Sequence, residues 1–147
     1  MTAISNDIGT RRPTGRTPWA AAWEWAARPM RYRAVRAFRV AAEAGDVGRL
    51  EAALDPDVRV VVESREPGRS RARVVQGTRD AITVLVHGMA ARADRRIVER
   101  SVNGQAGLLV TQAGEATALI SVDFTGALVS VVWIRVHPDV LRHWNRV

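Results

Sequence analysis

The stretch that most constrains the fold is Ser101 to Trp144, SVNGQAGLLVTQAGEATALISVDFTGALVSVVWIRVHPDVLRHW. Turns at Gln112-Ala113-Gly114-Glu115 and Thr125-Gly126 divide it into three runs of β-branched and apolar residues. Each run is too short for a helix and about right for a strand. A Pro138-Asp139 stop and one apolar turn of helix follow. A meander that closes a chain with helices at its front predicts an α+β domain. Its sheet is curved and mostly antiparallel (mixed), with helices on one face.

The front of the chain supplies those helices. Residues 1–16 are polar, broken by glycine, proline and threonine, and read as a disordered basic leader. Thr17-Pro18 has the form of an N-cap with proline at the first helical position, so residues 17–29 form a helical extension stopping before Pro29. Trp19, Ala22, Trp23 and Ala26 share one stripe of it. Residues 30–147 make the domain proper. A helix over 31–44 turns Val35, Phe38 and Ala42 inward and Arg36, Arg39 and Glu43 to the other side. Gly45 ends it, and Asp46 caps a shorter helix that buries Val47, Leu50 and Leu54. After the turn Asp55-Pro56-Asp57 come a strand from Val58 to Glu63, a loop from Ser64 to Ser70 and a strand from Ala72 to Gln76. The next helix opens at Gly77-Thr78, with Asp80 near its positive end. Ile82, Leu85, Val86 and Met89 mark its core side and His87 its outer side. A strand from Arg96 to Asn103 leads into the meander.

Charge separates the two parts. The formal net charge is +7, but residues 1–39 carry eight arginines against Asp7 and Glu24, while residues 40–147 carry fourteen against thirteen acids. A basic arm of this kind can contact nucleic acid through phosphate neutralisation, or a polymerase through protein contacts. The absence of cysteine excludes disulfides, thiol catalysis and cysteine-based metal sites. No apolar run reaches the ~18 residues of a membrane span. Arg11-Arg12 is followed by Pro13 and interrupted by Arg16, so no export signal forms and a cytoplasmic protein is expected. No histidine-acid grouping has metal-ligand spacing, no glycine loop resembles a phosphate cradle, and no nucleophile elbow occurs. No cofactor is expected.

VNGQAGLLV, ALISVDF and GALVSVVWIRVHPDVLRH, with AAEAGDVGRLEAAL and DPDVRVVVES before them, resemble a known domain. It is the SnoaL-like C-terminal domain of extracytoplasmic-function RNA polymerase sigma factors, within the nuclear-transport-factor-like superfamily. The resemblance runs from about Arg31 to His143 and is most specific at VNGQAG and the closing Pro-Asp-x-Leu. It implies a cone, a bent sheet wrapped around a long helix, with an apolar cavity and dimerisation through the convex sheet face. The chain departs from the sigma-factor pattern in having SREPGRSR, from Ser64 to Arg71, where a glycine-rich acidic loop is expected.

The resemblance also sets the candidate chemistry. Superfamily enzymes such as polyketide cyclases, ketosteroid isomerases and epoxide hydrolases use a carboxylate inside the cone as a base. Burial raises the pKa of such a group toward a useful range. Glu99, on one strand face with Ile97, Ser101 and Asn103, and Asp123, with Leu119 and Ser121, are the candidate bases. His137, at the end of the last strand, is a candidate acid/base group. Trp133, Arg135, Asn103 and Met89 are candidates for a ligand-binding surface, Trp133 and Arg135 equally for a dimer face. In the strand alternation Val129, Val131, Trp133 and Arg135 oppose Ser130, Val132, Ile134 and Val136. The expected function is a small-ligand-binding or protein-interaction domain, a stand-alone relative of the sigma-factor regulatory domain. It forms a homodimer through the outer sheet face, has a small apolar ligand as possible cargo and has no membrane partner. The alternative is a small isomerase or cyclase-like enzyme.

Overall fold

Local signals set the helical frame. α1 (Pro18–Ala44) ends at Gly45, which takes a φ of +64°. The Gly45 amide donates to the Ala42 carbonyl (3.2 Å) and the Asp46 amide to the Ala41 carbonyl (2.9 Å). These two bonds satisfy carbonyls that a helix end otherwise leaves open. Asp46 then caps α2 (Val47–Ala53), its side chain accepting from the Arg49 amide at 3.1 Å. α3 (Thr78–Met89) follows Gly77, whose φ of +90° suits glycine and whose amide donates to the Val58 carbonyl at 2.9 Å.

The structure, a computed structural model, describes residues 18–102 and 104–136, with side chains from Arg31 onward except Arg65 and Glu66. The chain divides into two compact units, Met1–Met30 and Arg31–Val147. The sheet and its core belong to the second. α1 continues through Pro29, correcting the predicted stop. A proline inside a helix removes one hydrogen bond, and the strong helix formers Ala26, Ala27, Arg28, Met30 and Arg31 on both sides carry the helix across.

Six strands form one mixed sheet. They are β1 (Leu54–Glu66), β2 (Arg69–Gln76), β3 (Arg95–Val102), β4 (Gln105–Gln112), β5 (Glu115–Thr125) and β6 (Leu128–Val136), in the order β2-β1-β6-β5-β4-β3. β1 and β6 are parallel neighbours; the other pairings are antiparallel. Ala113 (φ +50°) and Gly114 (φ +84°) make the two-residue turn between β4 and β5. Successive positive φ values are what a tight hairpin requires. Register shifts occur between Leu54 and Arg59, between Val110 and Thr111, and between Asp123 and Phe124. Bulges of this kind bend a sheet and increase its twist.

The third shift corrects a face assignment. Phe124 pairs with Val129 and Asp123 with Val131, so Ser130 is the extra residue. Val129 is therefore turned inward with Val132 and Ile134, while Val131, Trp133 and Arg135 lie on the outer face. β1 also begins earlier than predicted, and an Asx turn inside it, Asp57 N–H to Asp55 Oδ1 at 2.8 Å, accommodates Pro56.

The core lies between the inner sheet face and the helices. Val35 and Phe38 from α1, Leu50 from α2, and Ala81, Leu85 and Met89 from α3 pack with Val58, Val60, Leu108, Ile120, Val122 and Val132. Phe38, Leu50, Val58, Val60, Leu85, Leu108 and Val132 present no surface to a water-sized sphere. Val47, predicted inward with Leu50, is 54% exposed: it stands at the first position of α2, and Leu50 is the residue of that helix that is buried. Val86 is half-buried.

Candidate functional site

β3 is the sheet edge opposite β2, and its alternation places Glu99 across from Leu108, an inner-face residue. Glu99 thus looks toward α1. The Arg36 guanidinium grips it with two bonds, Nε to Oε1 at 3.3 Å and Nη2 to Oε2 at 3.4 Å. Arg39 Nε lies 3.7 Å from the same Oε1, and Arg39 Nη1 donates to Glu43 Oε2 at 3.1 Å. The four charges form a chain, Arg36, Glu99, Arg39 and Glu43, across the space between α1 and β3. Arg39 Nε is buried and makes no hydrogen bond, so Glu99 is the charge that compensates it.

Sequence reasoning placed Arg36, Arg39 and Glu43 on the side of the helix away from the core. Strand alternation alone offers a salt bridge with a neighbouring-strand arginine as the alternative to a catalytic Glu99. The partners come instead from α1, which crosses the inner side of β3. The usable signal was the Arg39–Glu43 spacing, which sets the guanidinium in place by an i,i+4 pair.

Beside this chain lies a depression of about 310 Å³, lined by Glu43, Met89, Ala91, Arg95, Arg96 and Ile97, with Val98 at its rim. Arg95 closes the end of α3, donating from Nη1 to the carbonyls of Ala90 (3.1 Å) and His87 (3.4 Å). Partial burial, with Arg92 nearby as the lesser cause, pushes the Arg95 guanidinium down from its ordinary value. The Ala91 amide donates to the Glu43 carbonyl at 3.0 Å, fixing the loop after α3 to the end of α1. His87 is exposed.

The other predicted residues lie elsewhere. Asp123 pairs with Val131 on the outer face and is exposed, on the opposite side of the sheet from Glu99. Trp133 and Arg135 are half-buried on that same outer face, and Arg135 Nε lies 3.5 Å from Glu63 Oε2. Met89 is a core residue touching the depression. Asn103 and His137 lie outside the described residues, as do the basic leader and the side chains of the tryptophan stripe. Among the described residues no polar or charged residue is buried, and no group of histidines and acids could hold a metal ion. Among the same residues no helix is long and apolar enough to cross a membrane.

The outer face has its own small core. Leu109, Ala116 and Leu119 are buried there with Val102 packed on them. The registers lay Val61, Trp133, Ser121 and Gly107 in one row across the face, and Glu63, Arg135, Leu119 and Leu109 in the next.

No family model and no curated protein matches this sequence. Solved structures do match. The extracytoplasmic function sigma factor SigJ of Mycobacterium tuberculosis is 20% identical, with a TM-score of 0.54 over 82% of this chain and 47% of that one. A protein assigned as a ketosteroid isomerase from Kribbella flavida is 16% identical, with a TM-score of 0.51 over 74% of this chain and 78% of its own. The chain has the nuclear-transport-factor-like fold. A de novo designed protein with a curved β-sheet matches as well, at a TM-score of 0.54, 16% identity and 82% and 98% coverage. The chain spans about half of the sigma factor's length.

Proposed function

We propose that this chain is a binding module that works through its surfaces, a protein-interaction cone that associates with a second copy through its outer sheet face. The observation that carries the reading is the state of Glu99. A general base must offer an oxygen within about 2.6–3.2 Å of the atom that bears the proton it removes. Both Glu99 oxygens are instead engaged by Arg36, and Arg39 stands behind one of them.

On the outer face Trp133 stands among Val61, Val131 and Leu119, beside the Glu63–Arg135 pair. Two copies related by a two-fold axis each bring one Glu63 and one Arg135, so opposite charges can meet across the join. Sedimentation analysis tests this: a dimer is expected, and Trp133→Arg is expected to run as a folded monomer. A monomeric parent chain removes the self-association.

The isomerase or cyclase reading is favoured by one fact, that Glu99 faces the inside of the cone. It predicts deuterium exchange into an apolar ketone in heavy water that Glu99→Gln abolishes. The binding-module reading predicts no exchange above the rate without protein, and protein-dependent exchange lost in Glu99→Gln overturns it.

A further inference from the structure

The hairpin of β1 and β2 carries a feature that neither Glu99 nor the outer face uses. In β2, Arg69, Arg71 and Arg73 stand at alternate positions opposite Glu66, Ser64 and Val62 of β1. Alternate residues of a strand share one face at a spacing of about 6.7 Å. The three guanidiniums therefore form a straight row on the inner side of the hairpin. All three residues are exposed, and none is ion-paired to another described residue. The opposite face of the strand carries Ser70, Ala72 and Val74, the last 59% exposed.

β2 is also an edge, with β1 on one side and no described strand on the other. Edges in soluble proteins are usually blunted by charged side chains, proline, a bulge or brevity, and of these β2 has only its arginines. β2 has eight residues, no proline, and an unbroken register with β1 from Gln76 to Arg69. It offers a full line of backbone donors and acceptors together with a line of positive charge.

We infer that this edge takes up an acidic segment of another protein in extended conformation, which adds to the sheet as a strand beside β2. Backbone bonds hold such a strand, and alternate side chains select it. Carboxylates at every second position would lie along Arg69, Arg71 and Arg73, and small apolar residues between them would lie along Ala72 and Val74. Opposite charges directly across a strand pair attract, while like charges repel. β2 is at the other end of the sheet from β3, which carries Glu99, and its edge is not the outer face, so the inference stands apart from self-association.

The test is a fluorescence-anisotropy titration of the full chain. The probe is a synthetic peptide as long as β2 that alternates glutamate with valine. Binding is expected, weakening as salt is raised. N-methylation of alternate backbone amides, on the edge facing β2, is expected to abolish it. Arg71→Glu is expected to weaken binding about tenfold, and Arg71→Lys to retain most of it. Circular dichroism confirms that both variants are folded. Equal binding of the N-methylated peptide overturns strand addition. Binding of a single-stranded oligonucleotide in place of the peptide overturns the choice of partner and assigns the arginine row to phosphates. Failure of both probes to bind overturns docking altogether, and aggregation of Arg71→Val then shows the arginines to be guards of the edge. Repeating the titration with Trp133→Arg separates this result from the oligomeric state.

Discussion

Gly107 gives the sharpest test of the packing described above. It sits in the middle of β4 on the outer face, across from Arg100 on β3 and Ser121 on β5. A Cβ built there would come 2.7 Å from a Val102 methyl and 2.9 Å from the Ile120 carbonyl oxygen. Comfortable contacts between such atoms lie near 3.5–4.0 Å. Glycine inside a strand normally costs about 0.5–1 kcal/mol against alanine, so without these contacts Gly107→Ala would stabilise. Overpacking of this kind costs about 1–3 kcal/mol. The Ile120 oxygen belongs to the β5 backbone and moves only with the ladder it helps to form. The clash wins, and the expected net loss is about 1–2 kcal/mol. For a chain of 147 residues that lowers Tm by roughly 2–8 °C. Thermal and urea unfolding followed by circular dichroism measure it, with the urea slope unchanged. Val102→Ala in the same chain relieves the methyl contact and leaves the oxygen contact, so the double variant is expected to recover only part of the loss. A Gly107→Ala chain as stable as the parent, or a full rescue by Val102→Ala, would refute the packing argument.

Further outcomes follow from the same geometry. Asp46→Ala removes the cap on the Arg49 amide and is expected to cost about 1 kcal/mol in urea unfolding, while Asp46→Asn, which keeps an acceptor, costs much less. Glu99→Gln is expected to cost about 0.5–1 kcal/mol, since the cluster is only partly screened from water. In double-mutant cycles with methionine replacements, the Arg39 coupling is expected to exceed the Arg36 coupling. Arg39 is 22% exposed and Arg36 69%, and exposure outweighs the longer distance. Leu85→Ala, at the centre of the core, is expected to cost about 2–5 kcal/mol, whereas Val47→Ser stays within about 0.5 kcal/mol of the parent. A large loss from Val47→Ser would show that Val47 is buried with Leu50, as the sequence spacing predicts.

Features decided by a few neighbouring residues were legible in the sequence. Gly45 and Asp46 announce a helix end and a cap because both depend on one backbone angle and one short side chain. The Gln112–Glu115 turn and the inward set Ile82, Leu85 and Met89 follow from equally local rules. VNGQAG was the most specific part of the family resemblance, and the structure supplies a reason. Gly104 takes a φ of +78°, and Gly107 has no room for a side chain. The phase of β6 was not legible, because the bulge at Ser130 arises from its fit to β5 and β1 and not from its own residues. The parallel pairing of β1 with β6 was hidden for the same reason, and with it the Glu63–Arg135 contact.

The candidate site lay beyond the sequence for a further reason, which bears on how such cones diverge in function. Strand alternation narrows Glu99 to two faces, but its chemistry depends on what stands across the cone, and Arg36 is 63 positions away. A carboxylate facing an empty apolar wall gains a proton easily and can act as a base. The same carboxylate facing two guanidiniums becomes a fixed anchor between α1 and the sheet edge. Removing Glu99 leaves the buried Arg39 Nε without a facing carboxylate, while Arg39 Nη1 keeps its bond to Glu43 and the partly exposed guanidinium keeps water, so the loss stays modest. Two arginines on α1 therefore decide whether this position can do chemistry, and both were visible in the sequence as residues without being visible as partners. Turning the cone toward catalysis would take changes at Arg36 and Arg39 together. A chain carrying Arg36→Leu and Arg39→Leu should keep its fold and leave Glu99 as an unpaired inward carboxylate. Deuterium exchange into an apolar ketone, gained by this chain and lost again on adding Glu99→Gln, would show the carboxylate set free for proton removal. No exchange from the folded double variant would mean that the arginines are not what withholds Glu99 from chemistry.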